Sequence, residues 1–306
     1  LSGLLTTFAS AADSGSAILD EMDVNAKAAV LVDPDTGEIL YEKNAHAHNY
    51  PASITKVMTC LLTLEAVDRG ELSLEQTVTA SSALHTGIGE GASTADIKEG
   101  EQIRIIDLLY AALIPSANEA CNVMAEAVSG DVASFVELMN TRAAELGMED
   151  THFSNTHGYH DDDHYTSAYD IYLMCREAMK HETFRTIVGS KNYTMPATNL
   201  HPEPRIIRST NALISNFRVA GYIYEYATGI KTGSTDAAGY CLSATAERDG
   251  MELIAVVLKA KTSEQRFESA KSLLNFGFAN YTLTDVYPGQ ALPPVDVLLG
   301  EQDTVQ

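Results

Sequence analysis

Ser53 and Lys56 stand three positions apart in the stretch Pro51-Ala52-Ser53-Ile54-Thr55-Lys56. On a helix that spacing sets a hydroxyl and an amine one turn apart on the same face. A hydroxyl becomes a useful nucleophile when an adjacent base takes its proton. A lysine amine can be that base once its pKa falls from the ordinary value of about 10.4, and burial or a second nearby cation lowers it. The residues that follow, Val57, Met58, Cys60, Leu61, Leu62, Leu64 and Val67, cover most of the circumference of a helix over 51–69. Such a helix is a buried central element. An N-capping Ser followed by a solvated Lys is the competing reading, and one isolated S-x-x-K does not decide between them.

Two further short motifs bear on the choice. Pro115 stops a helix over 103–113, and a second helix is expected from Ser116 to about Val128. Leu108, Leu109, Leu113, Ile114, Val123 and Met124 flank the step between them, so the turn should pack inward and present Ser116 and Asn118 at a cleft. Both residue types are also good N-caps. The run Gly229-Ile230-Lys231-Thr232-Gly233-Ser234 opens a new strand. It lies beside a hairpin predicted where Arg248-Asp249-Gly250 separates the apolar runs 240–246 and 251–258. A helix start, a helix–helix turn and a strand edge are all places where a cleft residue can sit.

Taken together, Ser53-x-x-Lys56, Ser116-x-Asn118 and Lys231-Thr232-Gly233 resemble the motif set shared by the penicillin-interactive serine enzymes. Within that group the chain is most similar to the D-alanyl-D-alanine carboxypeptidases, the low-molecular-weight penicillin-binding proteins. The resemblance runs from about Ala26 to Ala279. It takes in Ser116-Ala117-Asn118-Glu119-Ala120, His157-Gly158, Thr166 to Asp170, and Ala260-Lys261-Thr262 followed by Arg266-Phe267. The fold it implies is α/β (α+β): an antiparallel sheet with helices on both faces. The roles it implies are Ser53 as nucleophile, Lys56 as its base with help from the charge of Lys231, and Ser116 and Lys231 as a proton route to the leaving amine. Asn118 would hold Lys56 and the substrate amide. The backbone N–H groups of Ser53 and Ser234 would form an oxyanion hole, and Thr232, Gly233, Ser234 and Arg266 would bind substrate. The implied partners are a peptidoglycan stem peptide ending in D-Ala-D-Ala and β-lactams as covalent inhibitors. A β-lactamase, or a non-catalytic wall-binding or sensor homologue, are the alternatives. Ala117 stands where class A β-lactamases carry Asp, and the 156–170 loop holds no Glu. The stretch around Arg208 to Leu213 lacks the second carboxylate-binding Arg of some relatives.

The elements that must position these residues follow from the chain in order. The 306 residues suit one large domain with or without a small second one. The segment 1–24 reads as an N-terminal piece resembling a signal-peptide remnant, 25–280 as the catalytic domain, and 281–306 as the start of a β-rich domain. Ala28–Val32 and Glu38–Lys43 form a hairpin around Asp33-Pro34-Asp35-Thr36-Gly37. Residues 71–100 read as irregular surface loop with short strands, and 184–226 as mostly loop. Helices are expected over 131–146, 166–179 and 266–279.

Composition narrows the partners. A formal charge of −22 argues against nucleic acid and against a polybasic membrane surface. Membrane contact is expected only through parts outside this sequence, and the setting is extracytoplasmic. Cys60, Cys121, Cys175 and Cys241 form no C-x-x-C pair and read as buried thiols. His157, His160 and His164 with Asp161 to Asp163 tempt a metal reading, but no helical spacing fixes a ligand geometry. No metal and no cofactor are expected.

Overall fold

A computed structural model describes residues 24–283 and the backbone of two short segments beyond them, Val295–Asp296 and Thr304–Val305. The leader-like reading of the first residues lies outside the described part. So does most of the expected β-rich module over 281–306, of which two short strands pair antiparallel.

β1 (Ala28–Val32) and β2 (Ile39–Lys43) form the expected hairpin. The Asp33 carboxylate accepts from the backbone N–H groups of Asp35 and Thr36 at 2.9 and 3.2 Å, and Gly37 takes φ +77° to close the turn. These strands join three from the far end of the sequence, β7 (Ala227–Thr235), β8 (Gly239–Arg248) and β9 (Met251–Ala260). The resulting five-stranded antiparallel sheet has the order β2-β1-β9-β8-β7, with β7 at one edge.

Every residue of β1 is buried, because helices cover both faces of the sheet. Ala28, Val30 and Val32 meet the helical layer on one face. Ala29 and Leu31 meet α7 (Ser263–Asn280) on the other, together with Leu253, Ala255, Phe267, Ala270 and Leu273. Gly277 lets α7 lie flat there, since a Cβ at that position would run into Leu253 and come within 3.1 Å of Leu31.

The other layer is built around α1 (Lys56–Asp68), which follows a 3-10 turn at Ala52–Thr55. It is buried nearly all round and packs against α2 (Ile105–Leu113), α3 (Asn118–Ser129) and α5 (Ala168–Ala178). α4 (Val132–Glu145) is capped by the Asp131 carboxylate, which accepts from Ser134 N–H at 2.8 Å.

Two expectations need correction. The helix expected from Ser116 begins at Asn118; Ser116 has φ +72°, which a right-handed helix excludes, so it stands in the turn instead. The stretch read as mostly loop contains α6 (Glu182–Val188) and a hairpin of β5 (Asn192–Met195) and β6 (Arg205–Arg208). These elements are short, and Pro196, Pro202 and Pro204 lie in the connection between the strands, not within them. A second small hairpin pairs β3 (Thr77–Thr79) with β4 (Gln102–Arg104) at the foot of α2. Among the described residues no helix is long and apolar enough to cross a membrane.

Candidate active site

Ser53 sits in the 3-10 turn that feeds α1, and its backbone is set by its neighbours. Ala52 is held at φ +48°, a left-handed conformation that costs a non-glycine residue roughly 1–2 kcal/mol. The Thr55 hydroxyl donates to the Ala52 carbonyl at 2.8 Å. Gly158 packs directly on that carbonyl, leaving no room for a Cβ. From the sheet side, Gly233 of β7 also approaches closely: a Cβ there would lie 2.7 Å from the Pro51 carbonyl and 3.1 Å from Ser53 N. Glycine at positions 158 and 233 is therefore a packing requirement of the serine turn.

Lys56 opens α1 fully buried. Its Nζ donates to Ser53 Oγ at 2.8 Å and to the His157 carbonyl at 2.7 Å. Burial lowers its pKa to about 8, against a weaker upward pull from Cys121, Glu119 and Cys60. Lys231, on β7, is also buried, and its Nζ donates to the Thr232 carbonyl at 3.0 Å. Its pKa lies well below the usual lysine range, first through burial and then through the charge of Lys56. Burial is the first cause for both amines, and the repulsion between the two buried lysines adds to it.

Two other expectations fare differently. Asn118 makes no hydrogen bond to Lys56. Its backbone N–H is tied to the Ser93 carbonyl at 3.0 Å, and the amine's second partner is the His157 carbonyl. The resemblance implies Arg266 as a substrate-binding residue. It is 7% exposed, with Nη1 donating to the carbonyls of Gly233 and Cys241 and Nη2 to Ser263 Oγ. Among the described residues no carboxylate is paired with it, its Nε has no hydrogen-bond partner, and burial lowers its pKa to about 10. A buried guanidinium without a counter-ion is costly. Ser116 is likewise buried, with an Oγ that has no protein partner. Thr232 is buried; Ser234 beside it is exposed.

The loop 154–164 is tied to the helices behind the site. Thr59 Oγ1 donates to the Thr156 carbonyl at 2.5 Å, and Thr156 Oγ1 to Asn122 Oδ1 at 2.6 Å. Asn122 in turn donates to the carbonyls of Leu84 and Thr86. His157 accepts the Tyr159 N–H at Nδ1 and points Nε2 at the Thr86 carbonyl at 3.2 Å; burial brings its pKa down to about 4. His157 and His164 thus have both ring nitrogens occupied by protein partners. Among the described residues no group of three or more His, Cys, Asp and Glu side chains is arranged to hold a metal. Asp161, Asp162 and Asp163 are exposed, and none bonds Ser53 or Lys56. All four cysteines are free and buried.

Sequence reasoning missed three contributors. The His157 carbonyl is a backbone group with no side-chain signal. Thr210 Oγ1 lies 2.6 Å from Thr232 Oγ1, in the stretch noted only for its missing Arg. Glu119, inside the second motif's helix, is buried and accepts from Thr94 Oγ1 and Ala95 N–H at 2.6 and 2.8 Å, tying the 94–97 loop to α3.

Comparison with known proteins gives one consistent answer. The family model described as D-alanyl-D-alanine carboxypeptidase matches residues 14–262. The D-alanyl-D-alanine carboxypeptidase DacF of Bacillus subtilis (strain 168) is 35% identical over 94% of this chain and 71% of its own length. DacC of Escherichia coli (strain K12), a protein of the same description, is 32% identical over 99% and 74%. The crystal structure of the Streptomyces K15 DD-transpeptidase matches with a TM-score of 0.76 and 30% identity, covering 84% of this chain and 98% of that one. Penicillin-binding protein D2 from Listeria monocytogenes, in its ampicillin-bound form, matches with a TM-score of 0.72 and 31% identity over 84% and 99%.

Proposed function

The chain belongs to the D-alanyl-D-alanine carboxypeptidase family, and on that footing we propose that it is a serine hydrolase removing the terminal D-alanine of peptidoglycan stem peptides through an acyl-enzyme on Ser53. The observation that carries the reading is the 2.8 Å contact of Lys56 Nζ with Ser53 Oγ, made by an amine that is fully buried.

In this reading Lys56 takes the Ser53 proton as Oγ attacks the carbonyl between the two D-alanines. At a pKa of about 8 the free amine is a substantial minority at neutral pH. The developing oxyanion is received by the backbone N–H groups of Ser53 and Ser234; the close seat of Gly233 against the serine turn supports that pairing. Removing one such donor typically costs about 10²–10³ in rate. The leaving amine collects a proton through Ser116, whose unpartnered buried hydroxyl is available for relay, with Lys231 assisting. The substrate's terminal carboxylate pairs with Arg266 and Thr232. The absence of a counter-ion among the described residues at that buried guanidinium supports the assignment. Water then hydrolyses the acyl-enzyme.

β-Lactams acylate the same serine in this account, in keeping with the ampicillin-bound relative. A slow release of the penicilloyl group follows, because the group beside Lys56 is the His157 carbonyl and not a carboxylate that could activate water. The stem peptide places the protein's work in the cell envelope, outside the cytoplasm. The experiment is D-alanine release from diacetyl-L-Lys-D-Ala-D-Ala by the wild type and by Ser53→Ala. Release that depends on Ser53 is the expected result; no release at any pH would remove the reading.

A further inference from the structure

His164 lies 109 positions from Thr55 in sequence and touches no reacting group, yet it ends a chain of hydrogen bonds that leads to the nucleophile. Ser154 donates its backbone N–H to His164 Nδ1 at 3.0 Å. That makes Nδ1 an acceptor and puts the ring proton on Nε2. Nε2 lies 2.7 Å from Thr55 Oγ1, which then accepts. The Thr55 proton is left to go to the Ala52 carbonyl at 2.8 Å. Each donor and acceptor is used in one direction, from the backbone of Ser154 to the peptide that precedes Ser53.

The receiving end of this chain is a strained place. Ala52 has φ +48°, and such conformations persist at working sites when surrounding contacts over-determine them. Besides Gly233 on the sheet side, the contacts come from one loop. His164 reaches the serine turn through Thr55, Gly158 packs on the Ala52 carbonyl, and the His157 carbonyl accepts from Lys56. The imidazole is 2% exposed, stands edge-on to Phe153 at 5.6 Å between centroids, and burial holds it neutral down to a pKa of about 3. The neutral ring keeps the donor and acceptor pattern set by its partners.

We propose that His164, acting through Thr55, is a positioning residue that clamps the strained Ala52–Ser53 peptide so that Ser53 Oγ and the Ser53 N–H face the substrate carbonyl together. The proposal rests on reading Ser53 as the nucleophile. Its consequence is that breaking the clamp slows the covalent step without weakening the encounter: the loop still supports Lys56, but the serine turn relaxes toward ordinary φ values and misaims the hydroxyl. Misplacement of about 1 Å at a reacting group is enough to cost about a hundredfold in rate.

The test uses stopped-flow acylation by a fluorescent penicillin on the whole chain, resolving the non-covalent binding constant from the acylation rate constant. Thr55→Val keeps the side-chain shape and deletes the hydroxyl; Thr55→Ser restores it; His164→Gln retains an amide at the ring's place. Thr55→Val is expected to lower the acylation rate constant at least tenfold with the binding constant within twofold of wild type. Thr55→Ser should return to within threefold, and His164→Gln should fall between. The acid limb of the rate profile, set by protonation of Lys56, should keep its midpoint in Thr55→Val. An acylation rate constant in Thr55→Val within threefold of wild type would overturn the proposal. So would a midpoint that moves up toward 10, since that marks a loosened site in which Lys56 has regained water. Should Thr55→Val fail to fold, His164→Gln decides alone: wild-type acylation in that variant overturns the clamp. Absence of acylation in the wild type would instead remove the reading of Ser53 on which the proposal stands.

Discussion

The most direct physical consequence of the site is the pH dependence of acylation. Lys56 is a fully buried amine with a pKa of about 8, down from 10.5, and desolvation is the first cause. At pH 7 such an amine is uncharged in roughly one molecule in ten, whereas an ordinary lysine would be uncharged in about one in 3,000. Burial therefore supplies roughly 300-fold more free base at neutral pH. If that base takes the Ser53 proton, the acylation rate constant rises about tenfold per pH unit below 7, climbs about tenfold in all between pH 7 and 9, and is level above. The assay is acylation by a fluorescent penicillin, followed from pH 5.5 to 10. Substituting Glu119→Gln, which removes one negative charge that pulls Lys56 upward, should move the midpoint slightly down. A profile flat between pH 7 and 9, or one with its midpoint near 10, would refute the claim that a dry Lys56 is the base.

Three further outcomes follow from the same contacts. Gly233→Ala forces a Cβ to within 2.7 Å of the Pro51 carbonyl and 3.1 Å of Ser53 N, so it should cost about 1–3 kcal/mol in denaturant-melt stability and at least tenfold in acylation rate. Arg266→Lys removes the fork that holds the Gly233 and Cys241 carbonyls; kcat/KM for a peptide with a free terminal carboxylate should fall about 10–100-fold, with a much smaller loss on the corresponding amide. His157 and His164 have native pKa values of about 4 and about 3, below the unfolded value of 6.5. The unfolded chain therefore binds more protons on acidification, and stability present above pH 6.5 is lost as pH falls toward 3. For wild-type protein the loss should exceed that of His164→Gln by on the order of 3 kcal/mol at pH 4, read from urea melts.

What was legible in the sequence was local. Asp33-Pro34-Asp35-Thr36-Gly37 and Arg248-Asp249-Gly250 marked their hairpins because each carries its own turn chemistry; Asp249 and Gly250 take φ +53° and +82°, as a tight two-residue hairpin turn requires. The all-round apolar pattern after Ser53 marked the central helix, and the three motifs named the chemical groups. What was illegible was contact between distant segments. The second acceptor of Lys56 is a main-chain carbonyl 101 positions away, and no residue type announces a carbonyl. Ser116 was read as a helix start because serine caps helices well, but the tight step from α2 puts it at φ +72° outside α3. Arg266 could be read as a surface charge on an amphipathic helix until the sheet was in place to bury it. The pair Thr210–Thr232 joins two loop and strand-edge hydroxyls whose meeting depends on how β6 leads back to β7.

The central claim is that Ser53, its proton taken by a buried lysine, is acylated by penicillin and gives up the acyl group slowly. It is tested most directly by an intact-mass time course after mixing the protein with penicillin. The account predicts an adduct of one whole penicillin that persists for many minutes and is absent in Ser53→Ala. No adduct, or an adduct that forms equally in Ser53→Ala, would contradict it; a short-lived adduct with rapid consumption of the drug would contradict slow release and favour a β-lactamase.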